Sequence, residues 1–310
     1  MKFKLIYENH GNFGLHVGDY FLYLKYALES CGHVADIEHE FSPGHINIVL
    51  EYFKDDFVAK VENSWCPGTG LIVIATEFLT GATFNDIYQD SSATQEKGDH
   101  NVRRDFWQNR HDNFVRLLPR MNAIWHVADQ QVPLYQQAFP DKIVEYMPHG
   151  YVDGFATVRH RSDEAKDIDV LFTGTMTSHR KNVLVSLSDA GLKVVASVLF
   201  TAPFHREDLV ARSKLVLNIK QHPDWRHESV TRLFYHLCND SLLITDQCDF
   251  PTDLHCYMNK VADSWLTTVQ EQLQLGCFTE RAVEARRRFA LEQPASELFA
   301  PLLHKSNLSI

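Results

Sequence analysis

The sequence predicts an α/β protein built from two doubly wound, Rossmann-like domains. From residue 3 to residue 150, apolar strand-like runs alternate with amphipathic helical segments. A polar stretch without an apolar period follows at residues 151–167, and the same alternation begins again at residue 168. Strands that alternate with helices form parallel sheets that the helices cover on both faces, so each half predicts one such sheet.

The first predicted domain spans residues 1–150. Its predicted strands cover residues 3–8, 34–41, 46–53, 70–79, 123–129 and 142–150. The segment 70–79 (GLIVIATEFL) is apolar along most of its length, which predicts a strand buried on both faces. The predicted helices cover residues 20–32, 55–65, 106–118 and 130–139. In the third of these, residues at helical spacing predict a packing face: Phe106, Trp107, Arg110, Phe114, Leu117 and Leu118.

Residues 151–167 are predicted to be a linker, because they are polar and carry no apolar period. The second predicted domain spans residues 168–280, and the helical tail at 281–310 is predicted to pack back on the core. The predicted strands of this domain cover 168–173, 193–200, 215–220 and 241–246, and its helices cover 179–190, 206–213 and 228–238. The tail contains the run Arg286-Arg287-Arg288, which predicts a solvated helix face, with contact to an anionic membrane surface as the alternative.

Composition and charge restrict the class of protein. The chain has 310 residues, a formal net charge of −10 and a hydrophobic fraction of 45%, which suits a globular protein with a substantial core. The negative charge argues against non-specific binding to nucleic acid, which phosphate neutralisation drives. The six cysteines form no Cys-x-x-Cys pair, which predicts reduced thiols in a cytoplasmic protein. No stretch approaches the roughly 20 apolar residues of a membrane span.

The second predicted domain opens with a strand–turn–helix segment that has the geometry of an anion site. Strand 168–173 ends at Gly174-Thr175, and a helix begins a few residues later. The free N–H groups and the dipole of such a helix N-terminus favour a phosphate. Arg180 and Lys181 lie just inside this helix, where an Arg can bind a diphosphate bidentately. The spacing matches neither the Walker A loop nor G-x-G-x-x-G, so an ordinary connection with exposed cations stays open.

A second cluster of charged residues follows the predicted strand 215–220. It contains Lys220, Arg226, Glu228 and Arg232. Ligands of open α/β sheets bind outside the carboxyl ends of the strands, and both clusters follow such ends. In one interpretation, the carboxylate binds ribose hydroxyls while the cations bind phosphate. In the other, Glu228 and Arg232 share a helix face four residues apart and simply pair with each other.

Taken in order, these segments resemble the donor-binding half of the GT-B glycosyltransferases. The resemblance is carried by IDVLFTGTMTSHR (168–180), VLNIK (216–220) and ESVTRLFYHLCNDSLLITD (228–246), and it spans about residues 123 to 250. It looks closest to the group-1 type and its spore-coat glycosyltransferase-like relatives. In the same group, the exit from the first domain is similar to MPHGYVDGF (147–155).

Some positions match the motifs of this family, and others depart from them. Arg232 and Phe234 match its R-x-F-E motif, and LLITD matches its following strand. Tyr235 stands where the family usually has Glu, and Asn239-Asp240 replaces a turn that usually contains glycine. These departures concern the part of the motif that bears on the identity of the nucleotide.

The resemblance implies a metal-independent glycosyltransferase whose two domains face each other across a cleft. The nucleotide sugar is then a donor substrate rather than a bound cofactor, and the acceptor is a hydroxyl compound of unknown identity. No Asp-x-Asp motif lies between a strand and its loop to hold a divalent ion. In this family a helix N-terminus and cations generally take the place of that ion, which suits the first cluster. The sugar, the base and the choice between inversion and retention stay open.

The resemblance places acceptor binding and part of the catalysis in the first domain. Inverting members take a catalytic base from the loop after the first strand, which here is NHGNFGLHVGD (9–19). In this loop His10, His16 and Asp19 could accept the proton of the acceptor hydroxyl, and Glu77, a carboxylate at a strand end, is the next candidate. The candidate catalytic residues are therefore Asp19, His16 and Glu77, and the candidate acceptor or cleft residues are Gly14, Gly18 and His149. For Asp19, a role as helix N-cap is the alternative.

Three other functions share this architecture. A nucleotide-sugar epimerase would need catalytic groups in the cleft and no acceptor, so a product assay with donor alone separates it from a transferase. A non-catalytic nucleotide-sugar-binding protein is favoured by the departures at Tyr235 and Asn239. A glycosyltransferase that acts on modified DNA bases is disfavoured by the acidic net charge, and a strongly salt-dependent affinity for duplex DNA would support it.

Overall fold

The computed structural model describes residues 1–11, 14–15, 17–81, 83–85, 104–197, 201–228 and 230–308. Within these ranges the chain forms two compact units. The first consists of Met1–Pro148 together with Ser296–Ile310, and the second of His149–Ala295.

The first unit is built on one parallel sheet. Its strands are β1 (Lys2–Ile6), β2 (Val34–Glu38), β3 (Ile46–Leu50), β4 (Gly70–Ala75), β5 (Ala123–His126) and β6 (Ile143–Tyr146). Its helices are α1 (Gly18–Ser30), α2 (Asp55–Ser64), α3 (Arg104–Leu117) and α4 (Val132–Ala138). The strand order is β2-β1-β3-β4-β5-β6, with every neighbouring pair parallel.

The central strands of this sheet are apolar because both of their faces are covered. All five residues of β3 (INIVL) and all six of β4 (GLIVIA) are buried. On one face, aromatic side chains from the helices and loops form a cluster that includes Phe53, Phe84, Phe114 and Tyr135. Complete burial of one such aromatic side chain contributes about 1.5 to 3 kcal/mol, so this cluster supplies much of the unit's stability.

The second unit contains a five-stranded parallel sheet. Its strands are β7 (Ile168–Thr173), β8 (Val194–Ser197), β9 (Ser213–Asn218), β10 (Leu243–Thr245) and β11 (Asn259–Lys260). Its helices are α5 (Ser178–Asp189), α6 (Pro203–Ala211), α7 (Val230–Cys238), α8 (Trp265–Leu275) and α9 (Phe278–Glu292). The strand order is β11-β10-β9-β7-β8, again parallel throughout. Two parallel α/β sheets confirm the predicted fold class.

Residues 151–167, which the sequence predicts to be a linker, are part of the second unit. The buried ring of Phe155 packs against Phe234 and Tyr235, and polar side chains make further attachments. The N–H groups of Thr157 and Val158 both donate to Oδ1 of Asn239, at 2.8 and 3.0 Å. Asp163 accepts hydrogen bonds from the N–H and the hydroxyl of Thr279. Apolar periodicity in a sequence does not indicate hydrogen bonds such as these.

The tail of the chain is divided between the two units. Helix α9 belongs to the second unit, whereas the last helix, α10 (Ala295–Lys305), lies almost entirely in the first. The Trp125 indole N–H of β5 donates to Oγ of Ser306 at 2.8 Å, and the Phe299 ring of α10 packs edge-on against Trp125. The tail therefore helps to cover the first sheet.

The strand order defines one switch point in each sheet, where successive connections leave in opposite directions. In the first sheet this point lies between β1 and β3, and in the second it lies between β7 and β9. Ligands of doubly wound folds bind outside the carboxyl ends of the strands at such points. The residues that follow β1, β3, β7 and β9 therefore lie where a ligand is expected to bind.

Candidate functional site

The turn after β7 requires a glycine. Gly174 follows the strand directly and has φ of +136°, a backbone conformation that side-chain-bearing residues rarely adopt. Helix α5 begins four residues later, with Thr177 as its N-cap, since the Thr177 hydroxyl accepts a hydrogen bond from the N–H of Arg180 at 3.3 Å. The predicted strand–turn–helix segment is thus present, and its helix starts at the carboxyl edge of the second sheet.

Arg180 turns back from the first turn of α5 towards the sheet. The residue is only 5% exposed. Its Nε donates to the carbonyl of Ile219 at 3.0 Å, and its Nη1 donates to the carbonyl of Thr175 at 2.7 Å. The guanidinium lies 5.3 Å from the centre of the Phe172 ring. Arg180 therefore connects the loops that follow β7 and β9, the two strands at the switch point.

Arg232 reaches the same place from helix α7. Its Nε donates to the carbonyl of Thr173 and its Nη1 to Oδ1 of Asn218, both at 2.5 Å. Its guanidinium lies 5.0 Å from the centre of the Phe172 ring. The guanidinium also crosses closely over Gly174, because a Cβ at that position would lie 2.5 Å from Nη2 of Arg232. The glycine thus provides room for the arginine as well as the turn.

Arg180 is buried and Arg232 is half-buried, and among the described residues neither guanidinium has a carboxylate partner. Burial lowers the pKa of Arg180 to about 10, an effect that the charge of Asp246 only partly offsets. Burial and the neighbouring charge of Arg180 lower the pKa of Arg232 to about 9. Within the described ranges, neither guanidinium forms an ion pair with a carboxylate; their partners are carbonyl groups and one amide oxygen. An anion bound here would relieve this unfavourable electrostatic energy.

Some of the other predicted donor residues lie at the turn or at the same edge of the sheet, and others are exposed on the surface. Thr175 belongs to the turn, where its carbonyl accepts from Arg180, whereas Lys181 is exposed on α5. The N–H of Lys220 donates to the Asp246 carboxylate at 2.7 Å, so Lys220 remains at the same edge of the sheet. Arg226 is exposed, and its Nε forms an ion pair with Asp249 at 2.8 Å.

Glu228 does not pair with Arg232, so the alternative in which the two share a helix face is wrong. Helix α7 begins at Val230, which leaves Glu228 outside the helix and removes the four-residue spacing on a common face. Both carboxylate oxygens are instead bonded within the protein. One accepts from the hydroxyl of Thr245 and lies 2.7 Å from Nδ1 of His255, and the other accepts from the N–H and the hydroxyl of Thr252. These bonds favour a structural role, in which Glu228 anchors the segment after β10.

Tyr235 and Asn239, which depart from the family pattern, both make contacts within the second unit. The Tyr235 ring is buried between the guanidinium of Arg206, 4.3 Å above its centre, and the ring of Phe155. The Asn239 side chain is used in the attachment of residues 157 and 158 described above. His149 is also buried, stacked on Phe234 with ring centres 5.3 Å apart, and burial lowers its pKa to about 3.

The predicted catalytic loop of the first unit is described only in part. His16 lies outside the described residues. Gly14 has φ of +70°, and a Cβ there would lie 2.9 Å from the Tyr7 ring. Gly18 is the first residue of α1, and Asp19 lies in its first turn. The helix is capped by Val17 without a side-chain hydrogen bond, so the alternative of an Asp19 N-cap is wrong.

Glu77 is part of a buried ionic network. Its Oε1 accepts from Nη2 of Arg110 at 2.9 Å, and its Oε2 accepts from the side-chain amide of Asn85 at 2.8 Å. The same Nη2 of Arg110 bonds to the carboxylate of Glu51, to which Nε of Arg110 also donates at 3.3 Å. Burial and the charge of Glu77 raise the pKa of Glu51 to about 7, although Arg110 opposes the shift.

The sequence predictions missed Glu51 as a functional candidate and placed Arg110 on a packing face. Arg110 does pack, since its guanidinium lies 4.7 Å from the Tyr52 ring centre and 5.0 Å from that of Trp107. The available signal was a charged residue, Glu51, directly after a strand whose five residues are all apolar or amide. An arginine among aromatic residues on one helix face was a second signal that a buried carboxylate lies nearby.

Two further properties concern the described residues as a whole. None of their helices has the length and apolar composition needed to cross a membrane. In the same residues, no three His, Cys, Asp or Glu side chains converge in a way that could hold a metal ion.

Comparisons with known proteins bear on the fold. No protein-family model matches the sequence, and no curated protein matches it by sequence. Among solved structures, S. aureus TarM matches with a TM-score of 0.50 and 9% identity, over 85% of this chain and 55% of the TarM chain. The chain thus spans little more than half the length of TarM. One TarM structure is a complex with fondaparinux, α-GlcNAc-glycerol and UDP.

Two other solved structures match with slightly higher TM-scores. An E. coli trehalose-6-phosphate synthase bound with UDP-2-fluoro glucose matches with a TM-score of 0.54 and 9% identity, over 100% of this chain and 99% of that chain. The N-terminal domain of the Candida albicans trehalose-6-phosphate phosphatase matches with a TM-score of 0.52 and 10% identity, over 87% and 71% of the two chains. The two parallel α/β units and these matches together identify the fold of the chain as that of the GT-B glycosyltransferases.

Proposed function

We propose that the protein is a glycosyltransferase that moves a sugar from a nucleoside-diphosphate donor to an acceptor hydroxyl. The observation that carries this proposal is the pair of guanidinium groups of Arg180, which is buried, and Arg232, which is half-buried. They meet at the Gly174 turn, and no carboxylate among the described residues pairs with either. The pair lies at the carboxyl ends of β7 and β9, where doubly wound sheets bind their ligands.

The chemistry of transfer explains why such a pair is useful. When the bond between the sugar and the phosphate breaks, the leaving diphosphate gains negative charge. Guanidinium groups that are already oriented by bonds to Thr173, Thr175 and Ile219 stabilise this charge without reorganising during the reaction. Two fixed cations can thereby supply the positive charge that a divalent ion supplies in other transferases, which supports a metal-independent mechanism.

The donor proposal is also consistent with the ligands of the structural neighbours. The TarM complex contains UDP, and the E. coli synthase is bound with UDP-2-fluoro glucose. We therefore propose a uridine nucleotide as the first donor to test. Lys220, which stays at the same edge of the sheet, is the next candidate for a phosphate contact, whereas Arg226 and Lys181 are too exposed to be preferred.

For the proton of the acceptor hydroxyl, we propose Glu77 as the group that accepts it. The acceptor oxygen forms a bond to the anomeric carbon, the bond from that carbon to the phosphate oxygen breaks, and the hydroxyl proton passes to the Glu77 carboxylate. Glu77 follows β4, and its side chain is 18% exposed, so it remains accessible although Arg110 and Asn85 hold it. Asp19 and His16 remain the alternative proton acceptors.

A thermal-shift screen with nucleoside diphosphates tests the donor site. A ligand that binds only the folded state at 100 times its dissociation constant stabilises that state by about 2.7 kcal/mol, which gives a measurable rise in Tm. Arg180→Ala and Arg232→Ala should each weaken the best ligand by about tenfold or more, because each removes a charge-assisted bond to phosphate. Each variant is compared with its own ligand-free Tm.

Lys181→Gln is the matched control, since it removes one positive charge from the same helix turn at an exposed position. Surface charges are screened by salt, so this variant should bind the nucleotide about as well as the wild type. Unchanged binding in both arginine variants would refute the assigned phosphate site. Product analysis with donor alone, and then with a panel of hydroxyl acceptors, separates transfer from epimerisation.

A further inference from the structure

The network of Glu51, Arg110 and Glu77 has more negative than positive charge. It contains two carboxylates and one guanidinium, so it carries a net charge of −1 when both carboxylates are ionised. The Glu51 side chain is fully buried and that of Arg110 is 8% exposed, so water screens the network poorly. A buried excess charge is costly, and binding one proton removes it.

The two carboxylates also contact the same donor group. Nη2 of Arg110 bonds to Oε2 of Glu51 and to Oε1 of Glu77, which brings one oxygen of each carboxylate to a single nitrogen. Arg110 itself is held by the rings of Tyr52, Phe106 and Trp107, whose centres lie 4.7 to 5.6 Å from its guanidinium carbon. The pair therefore has a defined geometry that the surrounding side chains maintain.

The two carboxylates differ in access to solvent. Glu51 follows β3 directly and its side chain is 0% exposed, whereas Glu77 follows β4 and is 18% exposed. Among the described residues, the other hydrogen-bond partners of Glu77 are the Asn85 amide, which donates to Oε2, and the Thr76 hydroxyl, which donates to Oε1. A proton can therefore enter or leave through Glu77 but not directly through Glu51.

We propose that Glu51 and Arg110 are positioning residues for Glu77: the guanidinium holds the two carboxylates as a pair that shares one proton, and Glu77 is the member that exchanges it with the acceptor hydroxyl. This inference rests on the proposed function. In the transfer step, the doubly ionised pair accepts the hydroxyl proton through Glu77 as the new C–O bond forms. The pair then carries one proton, which Glu77 returns to water after the product leaves.

Two other titratable side chains of the described residues lie against the backbone carbonyl of Glu77. The Tyr135 hydroxyl, from α4, donates to the backbone carbonyl of Glu77 at 2.8 Å, and burial and both carboxylates raise its pKa. Nε2 of His126 lies 3.0 Å from the same carbonyl, and its Nδ1 lies 3.0 Å from the N–H of Ala128, so both ring nitrogens are held by backbone groups. The raised pKa of Glu51, about 7, agrees with one proton bound to the pair near neutrality.

Glu51→Gln provides the central test. The substitution is nearly isosteric and resembles the protonated carboxyl, so the protein should fold. With one carboxylate left beside Arg110, the excess negative charge that favours proton binding by the pair is gone, so the acidic limb of the kcat/KM–pH profile should move to lower pH by one unit or more. The remaining carboxylate then has no second carboxylate to help it accept a proton, and the plateau of kcat should fall by about tenfold. Glu77→Gln should abolish the acidic limb and lower kcat by about 100-fold or more.

Stability provides a readout that does not need activity. A carboxyl whose pKa is higher in the folded than in the unfolded state loses stability as the pH rises from its unfolded value, about 4.5, to its folded value, about 7. The urea midpoint of the wild type should fall as the pH rises over this range, and the urea midpoint of Glu51→Gln should not. Glu62→Gln is the matched control, because Glu62 of α2 pairs at the surface, at 2.8 Å, with Arg116, which lies on α3 as Arg110 does. Glu62→Gln should change neither the kcat/KM–pH profile nor the pH dependence of the urea midpoint.

The outcomes separate this inference from the proposed function. If Glu51→Gln changes stability but leaves the acidic limb in place, Glu51 is merely structural and the inference is overturned. An unchanged pH dependence of the urea midpoint would overturn the shared proton directly. Nucleotide binding should be the same in Glu51→Gln and the wild type. If nucleotide binds but no acceptor is glycosylated, the proposed function fails, whereas the stability measurement still decides whether the pair shares a proton.

Discussion

Replacement of Gly174 by alanine tests the proposed phosphate site most directly. The glycine has φ of +136°, and a Cβ there would lie 2.5 Å from Nη2 and 3.3 Å from Cζ of Arg232. Real Cβ atoms do not approach other atoms to 2.5 Å, so the Arg232 guanidinium must move. Gly174→Ala should therefore impose backbone strain and displace the arginine at the same time.

The two effects have different magnitudes and different readouts. A residue forced into a sparsely populated backbone region costs about 1 to 3 kcal/mol of folding stability. Displacement of Arg232 removes one charge-assisted hydrogen bond to a bound phosphate, which is worth about 1.5 to 3 kcal/mol. The dissociation constant for the nucleoside diphosphate should therefore rise about 10- to 150-fold. Urea unfolding measures the first effect, and titration calorimetry measures the second.

Gly191→Ala separates strain from displacement. Gly191 lies in the same unit, just after α5, and has φ of +87° with no heavy atom within 4 Å of an added Cβ. Gly191→Ala should lower stability by a similar amount and leave nucleotide affinity unchanged. In an Arg232→Ala background, Gly174→Ala should cause little further loss of affinity, because the contact is already absent.

Two results would refute this reasoning. If Gly174→Ala binds the nucleotide as tightly as the wild type does, the guanidinium over the turn does not contact the phosphate. If Gly174→Ala weakens binding equally in the wild type and in the Arg232→Ala background, the backbone of the turn contacts the ligand and Arg232 does not. Only a loss that disappears in the double variant supports the assigned site.

Three other substitutions have expected outcomes that follow from single contacts. Glu228→Gln should lower the free energy of unfolding by about 2 to 3 kcal/mol, because an amide group would face hydrogen-bond donors, and should leave the nucleotide-induced rise in Tm unchanged; a lost rise in Tm would instead support the ribose interpretation. Gly150→Ala should lower Tm, because its Cβ would lie 2.7 Å from the backbone of Ala295, and an unaltered Tm would contradict this packing. His149→Phe should retain the stacking on Phe234 and reduce acid sensitivity: the pKa of His149 is about 3 when folded and about 6.5 when unfolded, so the wild type loses stability as the pH falls below about 6.5, by up to about 1.4 kcal/mol per pH unit. Urea midpoints between pH 4 and pH 8 measure this difference, and equal slopes in the two proteins would contradict it.

The sequence predicts the regular elements well where one local signal determines them. The bounds of β7 are the predicted ones, since an apolar run there ends at a glycine. The predicted strand 70–79 ends at Ala75 in the structure, although the run stays largely apolar. Phe78 and Leu79 are buried by contacts outside the sheet, including the bridge between Leu79 and Phe84. Hydrophobicity predicts burial at these positions, but it does not tell which neighbour provides it.

The same distinction applies to the candidate site. Arg180 and Arg232 could be predicted because each belongs to a local pattern, a helix start in one case and a family motif in the other. The bond between Arg110 and Glu51 joins residues 59 positions apart, and no local pattern reports such a pairing. The spacing of Glu228 and Arg232 gave the opposite error, since it predicts a pair only if the helix starts early enough to contain both. Tertiary structure therefore creates pairs of charged side chains that local spacing does not reveal, and it prevents pairs that local spacing predicts.

The two ionic clusters share a property that ordinary structural ion pairs lack. In an ordinary structural ion pair one charge offsets the other, as in the pair of Arg212 and Asp167. Arg180 and Arg232 leave an excess of positive charge, and Glu51 and Glu77 leave an excess of negative charge around Arg110. Each excess costs folding stability, because buried charge is poorly solvated. In the proposed glycosyl transfer, a diphosphate anion and a proton are released; the first excess would stabilise the anion, and the second would accept the proton. A purely structural explanation accounts for neither excess, since replacing one member of each cluster with a neutral residue would lower that cost.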